Sequence, residues 1–174
     1  MLKPELQAKY LHYLSNRKNK QEEGFTLIEL LVVVIIIGVL AAIALPSLLG
    51  QVNKAKQAEA KNNIGSINRA QQAYFLEYQQ FTTELVQLGV GIKTQTENYI
   101  YSSAINIGIV NNKATSTKAA LKSYLGLVGT QVGNVQTSEA LTVAFACESN
   151  SPTTAAPGNA TGLGCIANYK SLAN

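Results

Sequence analysis

The chain is expected to be α+β, with one long N-terminal α-helix that spans a membrane in its first half, is amphipathic in its second, and packs on a small β-sheet. Three observations carry this. From Phe25 to Val52 there is one charged residue, Glu29, and Leu30 to Leu45 contains no polar side chain. Ala60, Ile64, Ile67, Gln71, Tyr74 and Tyr78 then recur at alternating spacings of four and three, one face of an α-helix. Near the C-terminus, Leu141, Val143, Phe145 and Cys147 alternate with Thr142, Ala144, Ala146 and Glu148, the period of a strand. A length of 174 residues accommodates one domain plus an anchor.

Residues 1–24 are polar, and Lys3, Lys9, Arg17, Lys18 and Lys20 precede the apolar run. These cations hold this end in the cytoplasm. With Glu22 and Glu23 beside the junction, the segment makes a poor n-region for an ordinary secretory signal. The ordinary reading keeps one foothold: Ala42-Ile43-Ala44 supplies an A-x-A pattern that directs cleavage before Leu45 and releases a soluble domain. Half of the formal charge of +4 falls in this first segment, where five Lys/Arg face three Glu. From Phe25 onward nine Lys/Arg face seven Glu, too scattered a balance to mark a nucleic-acid footprint. The single His, His12, also lies before Gly24, and the chain has no Asp and no Trp. His-based general base catalysis and His metal sites are therefore excluded from the remainder. No enzymatic activity, metal or cofactor is expected.

The 28 residues from Phe25 to Val52 make a helix of roughly 42 Å, enough to cross a hydrocarbon core of about 30 Å. Gly38 and Pro46 are helix perturbers within it, and Pro46 is expected to bend the helix. Glu29 sits where a charge is costly and therefore usually functional. The residues around it, Gly24-Phe25-Thr26-Leu27-Ile28-Glu29-Leu30, resemble the class III signal of type IV prepilins and pseudopilins. Val32 to Leu49, with Gln51 to Asn62, is most similar to major pilins of cyanobacteria. The resemblance covers Glu23 to Tyr78, and beyond it only the general layout compares.

That resemblance implies removal of a leader, residues 1–24, by cleavage between Gly24 and Phe25, then N-methylation of Phe25. It implies a pilin fold with an antiparallel sheet, in which residues 25–52 anchor and assemble and residues 53–174 form the globular domain. The implied partners are copies of the same chain in a helical filament, a prepilin peptidase, an assembly ATPase and a platform protein. The implied location is the inner membrane before assembly and an extracellular pilus after it. Between Gly38 and Pro46 the helix is implied to unwind in the filament. Glu29 is expected to pair with the Phe25 amine of a neighbouring subunit, because two charges in an apolar core are costly unless paired. The alternative is that Glu29 caps the helix start, where a carboxylate favours the positive dipole end.

Further along, the helix is expected to continue to Gln79, weakened at Gly65 by about 1 kcal/mol relative to Ala. Tyr74, Phe75 and Tyr78 are placed where it meets the sheet. Residues 80–97 read as an irregular connection, broken by Gly89 and Gly91. Asn98 to Ile109, rich in Tyr and Ile, reads as a strand or two. Lys118 to Tyr124 is assigned to a short helix, and Gly126, Gly129 and Gly133 to a turn-rich stretch. The strand at Leu141–Cys147 is followed by a loop, residues 149–164, and an edge segment at Ile166 to Leu172.

Cys147 and Cys165 are the only cysteines, both on the side expected to be exported, where two cysteines usually pair. A bond here resembles the C-terminal disulfide of many pilins; the other reading is two buried free thiols. Asn159-Ala160-Thr161 fits a glycosylation acceptor in a loop. Lys113, Lys118 and Lys122 form a small basic group, either a phosphate contact or a solvated face. Three functions follow: a type IV pilus subunit, a type II secretion pseudopilin, or a minor pilin that binds DNA or a surface.

Overall fold

The computed structural model describes residues 4–18, 24–134 and 139–172. Its elements are helices α1 (Pro4–Lys18) and α2 (Leu27–Tyr78) and strands β1 (Tyr99–Asn106), β2 (Ile109–Ser116), β3 (Tyr124–Asn134), β4 (Glu139–Ser149) and β5 (Tyr169–Ser171). The chain divides into two compact units, Met1–Ser47 and Leu48–Asn174.

In the first unit, α1 opens on Pro4, tolerated in a first turn whose N–H groups have no partner, and Glu5 stands at the positive helix end. The polar first segment thus carries a helix that its composition alone did not indicate. The part of α2 in this unit is long and apolar enough to cross a membrane. Leu27 to Leu45 are exposed throughout. The helix runs unbroken through Gly38 and Pro46. Pro46 has no N–H, so the Ala42 carbonyl four residues back loses its helical donor.

In the second unit, α2 lies on the sheet through Ala60, Ile64, Ile67, Asn68 and Gln71. The expected stripe ends a turn early. Tyr78 is exposed and its ring meets that of Tyr74, while Phe75 stacks on Phe81 at 4.8 Å. The Tyr74 hydroxyl donates to Gln87 Oε1, so these aromatics meet the connecting segment rather than the sheet. The helix stops at Gln79, which is left-handed (φ 54°) and donates its N–H to the Phe75 carbonyl.

The five strands form an antiparallel meander in the order β1-β2-β3-β4-β5. One face carries Tyr99, Tyr101, Ala114, Tyr124 and Ala146 toward α2. The other carries Ile109, Leu125, Leu127, Phe145 and Cys147, covered by Ala160, Leu163 and Ile166. The alternating apolar residues of β4 therefore face the C-terminal loop, and its small residues face the helix.

Several expectations are corrected. Lys118 to Tyr124 is not a helix. Residues 118–123 form a turn with Leu121 N–H donating to Lys118 O, and Tyr124 begins β3. Burial of Leu121 and Tyr124 in the core outweighs the local helical pattern. Gly126, Gly129 and Gly133 lie inside β3, not in a turn. A Cβ on Gly126 would come within 2.8 Å of Ile64 Cγ2 and also meet Asn68, so this glycine permits close approach of helix and sheet. Gly133 sits at a register irregularity between Val132 and Asn134. Asn98 to Ile109, read as a strand or two, holds β1 and the first residue of β2. The β1–β2 turn is Ile107-Gly108, with φ of 49° and 73°, both positive as a tight hairpin requires.

Candidate functional site

Gly24, Phe25 and Thr26 precede α2, carry no regular structure and are exposed, with Phe25 89% accessible. The Gly24–Phe25 bond is thus open to a protease, and the small Gly24 offers no side chain to obstruct it. Glu23 lies outside the described residues.

Thr26 and Glu29 form a reciprocal cap. Glu29 Oε2 accepts from the Thr26 N–H at 2.9 Å and from its hydroxyl at 2.8 Å, and Thr26 Oγ accepts from the Glu29 N–H. This is the capping box that T-x-x-E before an apolar run encodes. Glu29 therefore does cap the helix in the full chain. The T-x-x-E spacing was legible in the sequence, although Thr26 was not singled out. Both bonds use Oε2; among the described residues Oε1 accepts none.

Cys147 and Cys165 are bonded, their Cα atoms 5.8 Å apart. The bond ties the C-terminal loop to β4, and hydrogen bonds fasten it further. The Ala160 N–H donates to Asn111 Oδ1 at 2.7 Å, Thr153 N–H to Leu121 O, and Ser123 Oγ to Thr153 O. Asn159 and Thr161 of the acceptor pattern are both exposed.

The helix–sheet junction is held by amides as much as by apolar contact. Asn68 donates to Phe145 O and accepts from Asn112 Nδ2, while Gln71 donates to Thr82 O at 2.6 Å and accepts from Thr82 N–H. Asn63 donates to the Tyr101 hydroxyl, whose pKa burial pushes up to about 12. Beside them, Glu148 is nearly enclosed and binds Lys61 at 3.2 Å, Lys122 at 3.3 Å and Lys170 at 3.1 Å. Desolvation pushes this carboxyl up, but the hydrogen bonds from Lys170, Lys61 and Lys122 outweigh it and hold the pKa below its ordinary value. No sequence spacing signals this cluster, since its members come from four separate parts of the chain.

The three lysines proposed as a basic group are not brought together. Lys122 is engaged with Glu148 on the helix face. Lys113 pairs in register with Leu125 and so belongs to the opposite face, where burial lowers its pKa. Lys118 is exposed in the turn.

Comparison with known proteins bears on this geometry. Residues 19–45 match the prokaryotic N-terminal methylation motif, and residues 57–164 match the family described as type IV pilin-like G and H. The chain is 45% identical over 73 residues to the type IV major pilin protein PilA of Myxococcus xanthus, covering 40% of this chain and 33% of that one. It is 30% identical over 129 residues to the fimbrial protein EcpC of Eikenella corrodens, covering 74% of this chain and 84% of that one. It is 37% identical over 67 residues to the type II secretion system core protein G of Escherichia coli, covering 38% and 46%. The match thus spans a third of the myxobacterial pilin and under half of core protein G, but most of the fimbrial protein. No solved structure matches the chain at a significant level. An exposed Gly-Phe junction capped into a long apolar helix, a meander sheet under its second half, and a family match across most of the globular unit converge: the chain belongs to the type IV pilin family.

Proposed function

We propose that the chain is a precursor subunit of a type IV pilus. It is anchored in the inner membrane by residues 25–52, cleaved after Gly24, N-methylated at Phe25 and then polymerised with copies of itself. The observation that carries this is the apolar half of α2, whose side chains are exposed from Leu27 to Leu45 and so need lipid or neighbouring helices to cover them. A peptidase that also methylates, an assembly ATPase and a platform protein supply the chemistry, and the subunit itself performs no catalysis. The wording of Val32 to Leu49 favours a major subunit.

Cleavage creates a positive amine on Phe25, one helical turn before Glu29. The capping box uses Oε2, so Oε1 remains for the Phe25 amine of a docked neighbour, and the two charges neutralise each other in the apolar filament core. The Glu29→Gln variant separates the two roles. Glutamine still caps, so a purely capping residue predicts normal cleavage and normal fibres. Pairing predicts cleaved subunits that accumulate in the membrane without fibres. Gly24→Val is expected to leave uncleaved precursor. N-terminal sequencing that begins at Leu45 would overturn the whole scheme.

The similarity to core protein G favours a second reading, a secretion pseudopilin. Abundance in sheared surface fibres decides between them.

A further inference from the structure

The globular unit carries its charge unevenly along α2. Near the start of its part of the helix, Lys54 and Lys61 line a groove with Gln57, Lys122 and Glu148. Lys61, Lys122 and Lys170 already share the one carboxylate, so ammonium groups are in excess there. At the other end the imbalance reverses. The last turn of α2 contains no basic residue but holds Glu77, which is exposed. A carboxylate at the negative end of a helix dipole is locally unfavourable, and a sequence keeps such a conflict where something else resolves it.

We propose that the Lys54–Lys61 groove receives Glu77 from a second copy of this chain displaced along the helix axis. The inference rests on the filament reading above. Within one chain the two groups cannot meet. Lys54 and Glu77 are 23 residues apart on a continuous helix, on the order of 35 Å at the usual rise. Between copies shifted lengthwise they can, and such a head-to-tail contact repeats without closing, as an open helical assembly requires. Leu76 and Tyr78, exposed on either side of Glu77, supply apolar surface for the same contact. Lys54 is exposed and has no ion-pair partner among the described residues, so it meets the incoming carboxylate directly.

Carbodiimide coupling of sheared wild-type fibres tests this, because it joins only amines and carboxylates already in contact. The expected product is a peptide linking Lys54 or Lys61 to Glu77, which the helix geometry forbids within one chain. Lys54→Glu and Glu77→Lys should each lower fibre yield about fivefold, the scale of one exposed ion pair, and the double reversal should restore it. An unchanged melting temperature of the extracted subunits shows that the fold is intact. Fibres without these links, and with normal yield in both single reversals, overturn the contact while leaving the filament reading standing. Absence of wild-type fibres overturns the filament reading and this inference with it.

Discussion

The two parts of α2 invert each other. In Leu27 to Leu45 the apolar side chains are outside and exposed. In residues 60–71 the buried face includes Asn68 and Gln71, each hydrogen-bonded on both sides of its amide. The first part is specified by its environment, since lipid tails or neighbouring helices accept any apolar surface. The second is specified by its partners, because a buried amide out of position leaves donors and acceptors unpaired at about 1–3 kcal/mol each. One helix thus combines a permissive half with an exacting one.

The contrast is broken most directly at two glycines. Gly126→Val drives a side chain into Ile64 and Asn68 and should destabilise the globular unit by about 3 kcal/mol or prevent folding. Gly38→Ala, with nothing within 4 Å, should leave its melting temperature unchanged. Thermal unfolding of detergent-extracted subunits followed by circular dichroism compares the two. Cys165→Ser should cost about 3 kcal/mol in the same measurement, because it frees a loop closed across 18 residues. Insertion of the apolar half should be unaffected, read as carbonate-resistant membrane association.

Glu148 sharpens the comparison through pH. Its folded pKa lies below the ordinary carboxylate value, so its contribution is complete above that value and is lost as pH falls through the folded one. Stability of the globular unit should fall on acidification below about pH 4, near the unfolded glutamate value. Glu148→Gln should flatten that dependence and cost about 1–2 kcal/mol at neutral pH, a figure reduced because Lys61 and Lys170 are well exposed. The smallest expected effect is a gain. Ile107 is β-branched, 74% exposed and held at positive φ. Ile107→Asn should stabilise the hairpin by about 0.5–1 kcal/mol, seen as a higher melting temperature.

What the sequence determined by itself was whatever depends on local chemistry and period. The Gly24–Phe25 junction, the apolar helix, the stripe from Ala60 to Gln71 and the alternation in β4 were all legible, because each is a pattern within a few turns or one strand. The structure alone decided what depends on residues far apart in the chain. Gly126 and Gly129 resemble turn residues until Ile64, Asn68 and Leu163 are seen against them. Lys118 to Tyr124 has a helical composition, but Tyr124 gains more from the core under α2 than from a local helix. The β1–β2 turn hid behind an isoleucine where asparagine is usual, a local cost that strand pairing from Tyr99 to Ser116 outweighs. Glu148 and its three lysines come from four separate parts of the chain, and only folding brings each ammonium group within 3.1–3.3 Å of the carboxylate.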